Sequence, residues 1–246
     1  MNVVLAVSSG SRYREAVGQF SEEMASLLEG KVRVASIGSP TEEGPLPERR
    51  EGPQVAQEAV WLGPDPTRSI VRELAQCDLG VIGRTLEPGL ADGTTVGSDV
   101  LRLQQLVTRP LAIVPETVRP VRTALFVYTE HPESGHALAL AGPLSDKGVA
   151  VKLVTLIPAL GRMELAGAGE GYLKAHGIPH EVVEAECENC AAEGGPVGEV
   201  LHLVRQEQID LIVLGGTRRG LLGRLLWPEL ANEVVWNADV PVLVWH

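Results

Sequence analysis

The segment Cys77-Asp78-Leu79-Gly80-Val81-Ile82-Gly83 returns as Ile209-Asp210-Leu211-Ile212-Val213-Leu214-Gly215, 132 residues further along the chain. A stretch with helical spacing precedes each copy, at 67–74 and 198–205. Each is followed by a Gly-containing loop, a second helix and a short apolar run, Pro110-Leu111-Ala112-Ile113-Val114 or Pro241-Val242-Leu243-Val244-Trp245. Chance matches one such feature; several in one order mark a duplicated domain. The seam falls near Pro115-Glu116-Thr117-Val118-Arg119-Pro120, where two prolines bracket a polar run before a new apolar stretch starts at Val121. The expected domains are 1–118 and 119–246.

In the second domain, Val-, Ile- and Leu-rich runs predict strands near 121–128, 150–157, 180–186, 210–215 and 241–245. Helices are predicted over 133–147, 162–176, 197–207 and 226–238. Apolar runs without polar alternation suit parallel strands covered on both faces. Their alternation with helices predicts two doubly wound, parallel-sheet α/β domains. The first half departs once. Between 32–37 and 55–62 stand Pro40, Gly44, Pro45, Pro47, Gly52 and Pro53, a density that disfavours a crossover helix.

Composition narrows the classes of function. A chain of 246 residues with 44% hydrophobic side chains has apolar surface enough for real cores and is not a disordered segment. Its apolar runs stop early, as 211–214 does at Gly215, so no membrane span is expected, and 1–8 lacks the basic lead of a signal peptide. Three cysteines are too few for a disulfide framework, which makes the cytoplasm the expected location. The net charge of −11 is shared, with 11 basic and 16 acidic residues in 1–118 and 10 and 16 in 119–246. Neither nucleic acid nor an anionic membrane is an expected partner.

Gly83, Gly97-Ser98 ahead of a helix at 99–107, and the run from Pro110 follow a pattern of strand, Gly-x2-Gly-x9-Gly-Ser/Thr, helix and final strand. In this the chain resembles the universal stress protein family in its tandem two-domain form. The likeness covers both halves and is best at each C-terminal third. It implies two five-stranded parallel domains packed as a pseudo-dimer. It also implies a protein partner, or self-association, through the last strands of the domains, 110–114 and 241–245. Many members of the family bind ATP; others have lost the motif and do not. In the motif the first glycine permits a tight turn, the second lets backbone amides approach phosphate, and Gly-Ser opens a helix whose free N–H groups and dipole favour an anion.

In the first half Gly83 matches the first glycine, Leu86 falls at the second with Gly89 and Gly93 nearby, and Gly97-Ser98 match the closing pair with one extra loop residue. The other reading is that Gly97-Ser98 only cap the helix. In the second half Arg218 falls at the second glycine and Pro228-Glu229 at the closing pair, which removes an amide and adds a carboxylate. Arg218, Arg219 and Arg224 make that loop either an anion clamp of side chains or a solvated basic loop. ATP-binding relatives carry Asp at the end of the first strand, where this chain has Ser8 and Tyr128. The resemblance therefore implies at most one weak ATP or anion site, in the first domain, at Ser8, Gly83, Gly97 and Ser98. In the second, Tyr128 is expected to fill the adenine space.

Ser8-Ser9-Gly10-Ser11 distantly resembles the Ser-Gly-Gly-x-Asp-Ser loop of ATP pyrophosphatases, but Arg12 and Tyr13 stand at the Asp and Ser positions, and Ser11 reads as a helix cap. Neither a Walker loop nor a Gly-x-Ser-x-Gly elbow occurs. Cys187-Glu188-Asn189-Cys190 admits a metal clamp, a redox pair or an ordinary loop. With 180–186 as a strand rising about 3.3 Å per residue, His180 lies roughly 20 Å from Cys187, so no metal shared by the two is expected. A complete site would need Glu184, Glu186 or a partner chain. His136 and His202 have no evident catalytic partner, and Trp227, Trp236 and Trp245 read as packing residues. The chain thus reads as a non-catalytic, stress-related ligand-sensing or interaction protein. The alternatives are a scaffold that binds no nucleotide and an ATP-cleaving enzyme of the pyrophosphatase-like class.

Overall fold

Short apolar runs become parallel strands in each of two compact units, Met1–Pro120 and Val121–His246. The computed structural model describes residues 2–8, 12–37, 59–62, 65–86, 98–129, 132–156, 167–183, 195–215 and 227–245. The first unit runs β1 (Asn2–Ser8), α1 (Arg14–Leu27), β2 (Gly30–Ile37), β3 (Ala59–Leu62), α2 (Pro66–Leu74), β4 (Leu79–Gly83), α3 (Ser98–Leu106) and β5 (Leu111–Val114). The second runs β6 (Thr123–Tyr128), α4 (Pro132–Leu138), α5 (Ala141–Asp146), β7 (Ala150–Thr155), α6 (Ala168–Ala175), β8 (Glu181–Val183), α7 (Gly195–Gln206), β9 (Leu211–Gly215), α8 (Trp227–Asn237) and β10 (Val242–Trp245).

The strand order is β3-β2-β1-β4-β5 in the first unit and β8-β7-β6-β9-β10 in the second, all neighbours within each unit being parallel. The register agrees as well. Leu5 of β1 faces Arg33 and Gly80, while Leu125 of β6 faces Lys152 and Ile212. The order in which strands are added reverses at β1/β4 and at β6/β9, so a crevice outside the carboxyl ends of those strands is the natural place for a ligand.

Local chemistry explains the elements. Every residue of β4 is buried, as a strand with helices on both faces requires. α1 buries Ala16, Val17, Phe20, Met24 and Ala25, a stripe at helical spacing. Asp65 caps α2 by accepting from the Arg68 amide at 3.1 Å, with Pro66 at the first helical position. The helix predicted over 133–147 is instead two helices, α4 and α5. Pro143 has no N–H to return to Ala139, and the chain crosses the gap through i→i−3 bonds from Ala139 to His136 and Leu140 to Ala137. β8 is described over Glu181–Val183, within the expected 180–186. The Pro- and Gly-rich stretch at 38–58 lies outside the described residues.

The repeated Asp performs the same task twice. Asp78 Oδ2 accepts from the Val3 amide at 2.9 Å, which fixes the start of β1 beside β4. Asp210, buried, accepts from the amides of both Arg122 and Thr123 at 3.0 Å and fixes the start of β6 beside β9. A cation also recurs at one register position. Arg33 on β2 lies 3.9 Å from Glu73, and Lys152 on β7 lies 2.6 Å from Glu207 and 3.0 Å from Glu181. The hydrogen bond to Glu207 holds the Lys152 ammonium above its ordinary range.

Candidate functional site

β1 and β4 bring Ser8 and Gly83 to the carboxyl edge of the first sheet, where they pair with Ser36 and Val114. On Gly83 lies a side chain whose role the sequence did not disclose. Tyr13, in the turn before α1, is 2% exposed and lies directly on Gly83. A methyl group at Gly83 would sit 2.5 Å from Tyr13 Cβ and 2.6 Å from Cγ. Only glycine lets the two backbones come this close. The glycine that the family motif devotes to a turn is here also the floor on which a tyrosine packs. Arg12 covers the outside, its guanidinium 5.4 Å from the Tyr13 ring centroid and its Nε 2.9 Å from Glu116.

Beyond Gly83 the chain runs to Leu86, which is buried. The Leu86 amide donates to Asp99 Oδ2 at 2.9 Å. Ser98 is the first residue of α3, as expected for a residue opening a helix; Gly97 lies outside the described residues. Of the four expected site residues, three are described: Ser8 ends β1, Gly83 ends β4 and Ser98 begins α3. Tyr13 and Asp99 were not among them. The signal for Asp99 was present in its position next to Ser98. For Tyr13 there was none, because no periodicity links it to Gly83.

In the second unit Tyr128 ends β6 and lies against Gly169 of α6, whose added Cβ would meet the ring at 2.9 Å from Cγ. Next to it, Thr129 and Ser134 of α4 are buried hydroxyls joined to each other, and Ser134 Oγ also accepts from the Thr129 amide at 3.2 Å. Gly215 ends β9. Pro228 and Glu229 fall in the first turn of α8, where a proline is tolerated. Arg218, Arg219 and Arg224 lie outside the described residues.

Other candidates fall into place individually. Cys187, Cys190, Glu184 and Glu186 lie outside the described residues, and with them the distance on which the expectation about His180 rests. His180 Nδ1 is 2.7 Å from the Ile178 carbonyl, and His176 Nδ1 is 2.9 Å from that of Tyr172, whose ring it stacks on at 4.1 Å. Among the described residues no group of three or more His, Cys, Asp or Glu side chains is placed to hold a metal. Cys77 is buried at the amino end of β4, and burial pushes its thiol up, away from the thiolate. His136 and His202 are exposed, and Trp236 and Trp245 are half-buried. No described helix is long and apolar enough to cross a membrane.

Residues 120–246 match the model of the universal stress protein family. Over 52 residues the chain is 40% identical to a universal stress protein of Methanocaldococcus jannaschii, a stretch that covers 21% of this chain and 31% of that protein. The match thus spans about a third of the relative's length. Among solved structures, a universal stress protein from Archaeoglobus fulgidus is 15% identical with a TM-score of 0.64, covering 99% of this chain and 96% of its own. A functionally unknown protein from Pseudomonas aeruginosa is 14% identical with a TM-score of 0.64, covering 100% of this chain and 92% of its own. These likenesses show the fold over the whole length.

Proposed function

The chain belongs to the universal stress protein family, and on that premise we propose that it is a tandem, non-catalytic member acting in ligand sensing or protein interaction. Its domains are 1–118 and 119–246, with at most one weak ATP or anion site, in the first. The observation that carries this reading is the packing of Tyr13 on Gly83. α3 still opens at Ser98, and the first amides of a helix have no partners within it, while Tyr13 covers Gly83, where the family motif begins. No carboxylate at Ser8 selects adenine. The ligand is then chosen by its anionic end and held feebly.

Equilibrium binding of labelled ATP to the whole chain tests the reading. Weak binding is expected, abolished by Gly97→Asp and unchanged by Glu229→Ser, since Pro228 has no amide to offer. No ATP cleavage should accompany it. Tight binding, or binding that survives Gly97→Asp, defeats the assignment. A second reading, a scaffold that binds no nucleotide, is favoured by Tyr128 against Gly169, the second unit's counterpart of Tyr13 on Gly83; complete absence of binding selects it. In either reading the protein works in the cytoplasm and meets a protein partner, or a second copy, through the last strands of its domains. Sedimentation across a concentration series measures the self-association.

A further inference from the structure

We infer that β8 is a detachable edge strap whose hold on the second unit's sheet is metered by Glu207, through one ammonium that two carboxylates share. β8 stands at the end of the strand order, pairs with β7 over three residues and leaves Val182 45% exposed. It is shorter than the usual strand of about five or six residues, so backbone pairing by itself holds it weakly. Its side-chain anchor is Glu181, which stands opposite Lys152 in the register and 3.0 Å from the Lys152 ammonium. Lifting β8 would bare the edge of β7 at Lys152, Leu153 and Val154, a row of backbone groups of the kind that accepts another strand.

The two carboxylates are carried differently. Glu207 sits on a fixed frame at the end of α7. Its amide returns to the Leu203 carbonyl at 2.9 Å, and Gln208, at φ 51°, turns the chain so that the Ile209 amide reaches Val204 at 3.0 Å. The Glu207 side chain is 22% exposed and lies 2.6 Å from the Lys152 ammonium, and this hydrogen bond does more than the one to Glu181 to raise the lysine's pKa. The Glu181 side chain is 65% exposed and rides on the short strand. When β8 docks, Glu181 therefore meets a cation that Glu207 has already neutralised, with a second negative charge beside it. Like-charge repulsion subtracts from the attraction. Glu207 thus stabilises the enclosed ammonium while loosening the strap.

Hydrogen exchange followed by NMR on the full chain tests the inference, with the amides of β8 read relative to those of β6, which report the stability of the unit as a whole. Glu207→Gln keeps an acceptor for the ammonium and removes the competing charge, so exchange in β8 should slow roughly threefold. Lys152→Met leaves Glu181 beside Glu207 without a cation, and exchange in β8 should quicken by about threefold. Glu181→Gln should quicken it as well, and serves if the methionine variant fails to fold. In the double variant Glu181→Gln/Glu207→Gln the slowing should vanish. A Glu207 that merely braces the fold would quicken exchange in β8 when substituted. That outcome overturns the inference, as does an unchanged β8, a slowing that survives in the double variant, or a β8 without protection in every protein.

Discussion

The two units lay five strands in one order and one register, yet each sets a tyrosine on a glycine by a different route. In the first, Tyr13 comes from the turn before α1 and rests on a glycine of β4; in the second, Tyr128 comes from the end of β6 and rests on a glycine of α6. The fold makes the crevice, and individual side chains decide whether it stays open. Each tyrosine has its own glycine because an aromatic ring reaches a backbone only where no Cβ intervenes. The glycines therefore report packing here, and the same letter in a motif has served two purposes.

The largest contrast between the units is expected at the repeated Asp. Asp210→Ala leaves two amides without their charged acceptor in a buried place and should cost about 3 kcal/mol. Asp78→Ala removes one bond near the surface and should cost about 1 kcal/mol. Hydrogen exchange followed separately in β6 and β1 assigns each loss to its unit. Equal effects would mean that burial does not distinguish the two pins.

The next contrast is between the glycines. Gly83→Ala forces a methyl into the Cβ of Tyr13, which moves only with its backbone, and should cost about 2 kcal/mol. Gly169→Ala meets the far more movable ring of Tyr128, and within a helix alanine regains about 1 kcal/mol of propensity, so its net effect should be near zero. Urea denaturation of both variants checks the order. If Gly169→Ala is the more damaging, the Tyr128 ring is the more rigid plug.

The smallest contrast concerns the cation at the shared register position. Lys152 titrates above its unfolded value, so its contribution is fully present below the unfolded pKa near about 10.4 and is lost as pH rises through the folded one. The stability difference between wild type and Lys152→Met, about 1 kcal/mol at pH 8, should therefore shrink above pH 10 or so. The matching difference for Arg33→Met, which removes a guanidinium rather than an ammonium, should not shrink over the same series. Urea titrations at several pH values, read by tryptophan fluorescence, make the comparison.

Much of this architecture was legible in the chain. The echo of 77–83 at 209–215 placed β4 and β9, and the apolar runs located the strands that pair with them, because a fully buried strand writes its burial directly into consecutive side chains. The end of β4 and the start of α3 were equally visible as Gly83 and Ser98. The break at Pro143 was visible in principle, since a missing amide interrupts a helix wherever it stands, but the surrounding apolar spacing overrode it. An acid in a first helical turn is ordinarily explained by its own helix, so nothing in the sequence marks Asp99 as the partner of the Leu86 amide.

What the sequence determined by itself was whatever depends on neighbours along the chain: the duplication, the alternation of strand and helix, and the loss of amides and carboxylates from the motif. What only the tertiary structure decided was which side chains meet near the strand ends. Tyr13 meets Gly83, Tyr128 meets Gly169 and Asp99 meets the Leu86 amide across loops and sheet edges. Such contacts depend on where the folded backbone leaves room for a ring or a donor, and no periodicity in the chain encodes that distance.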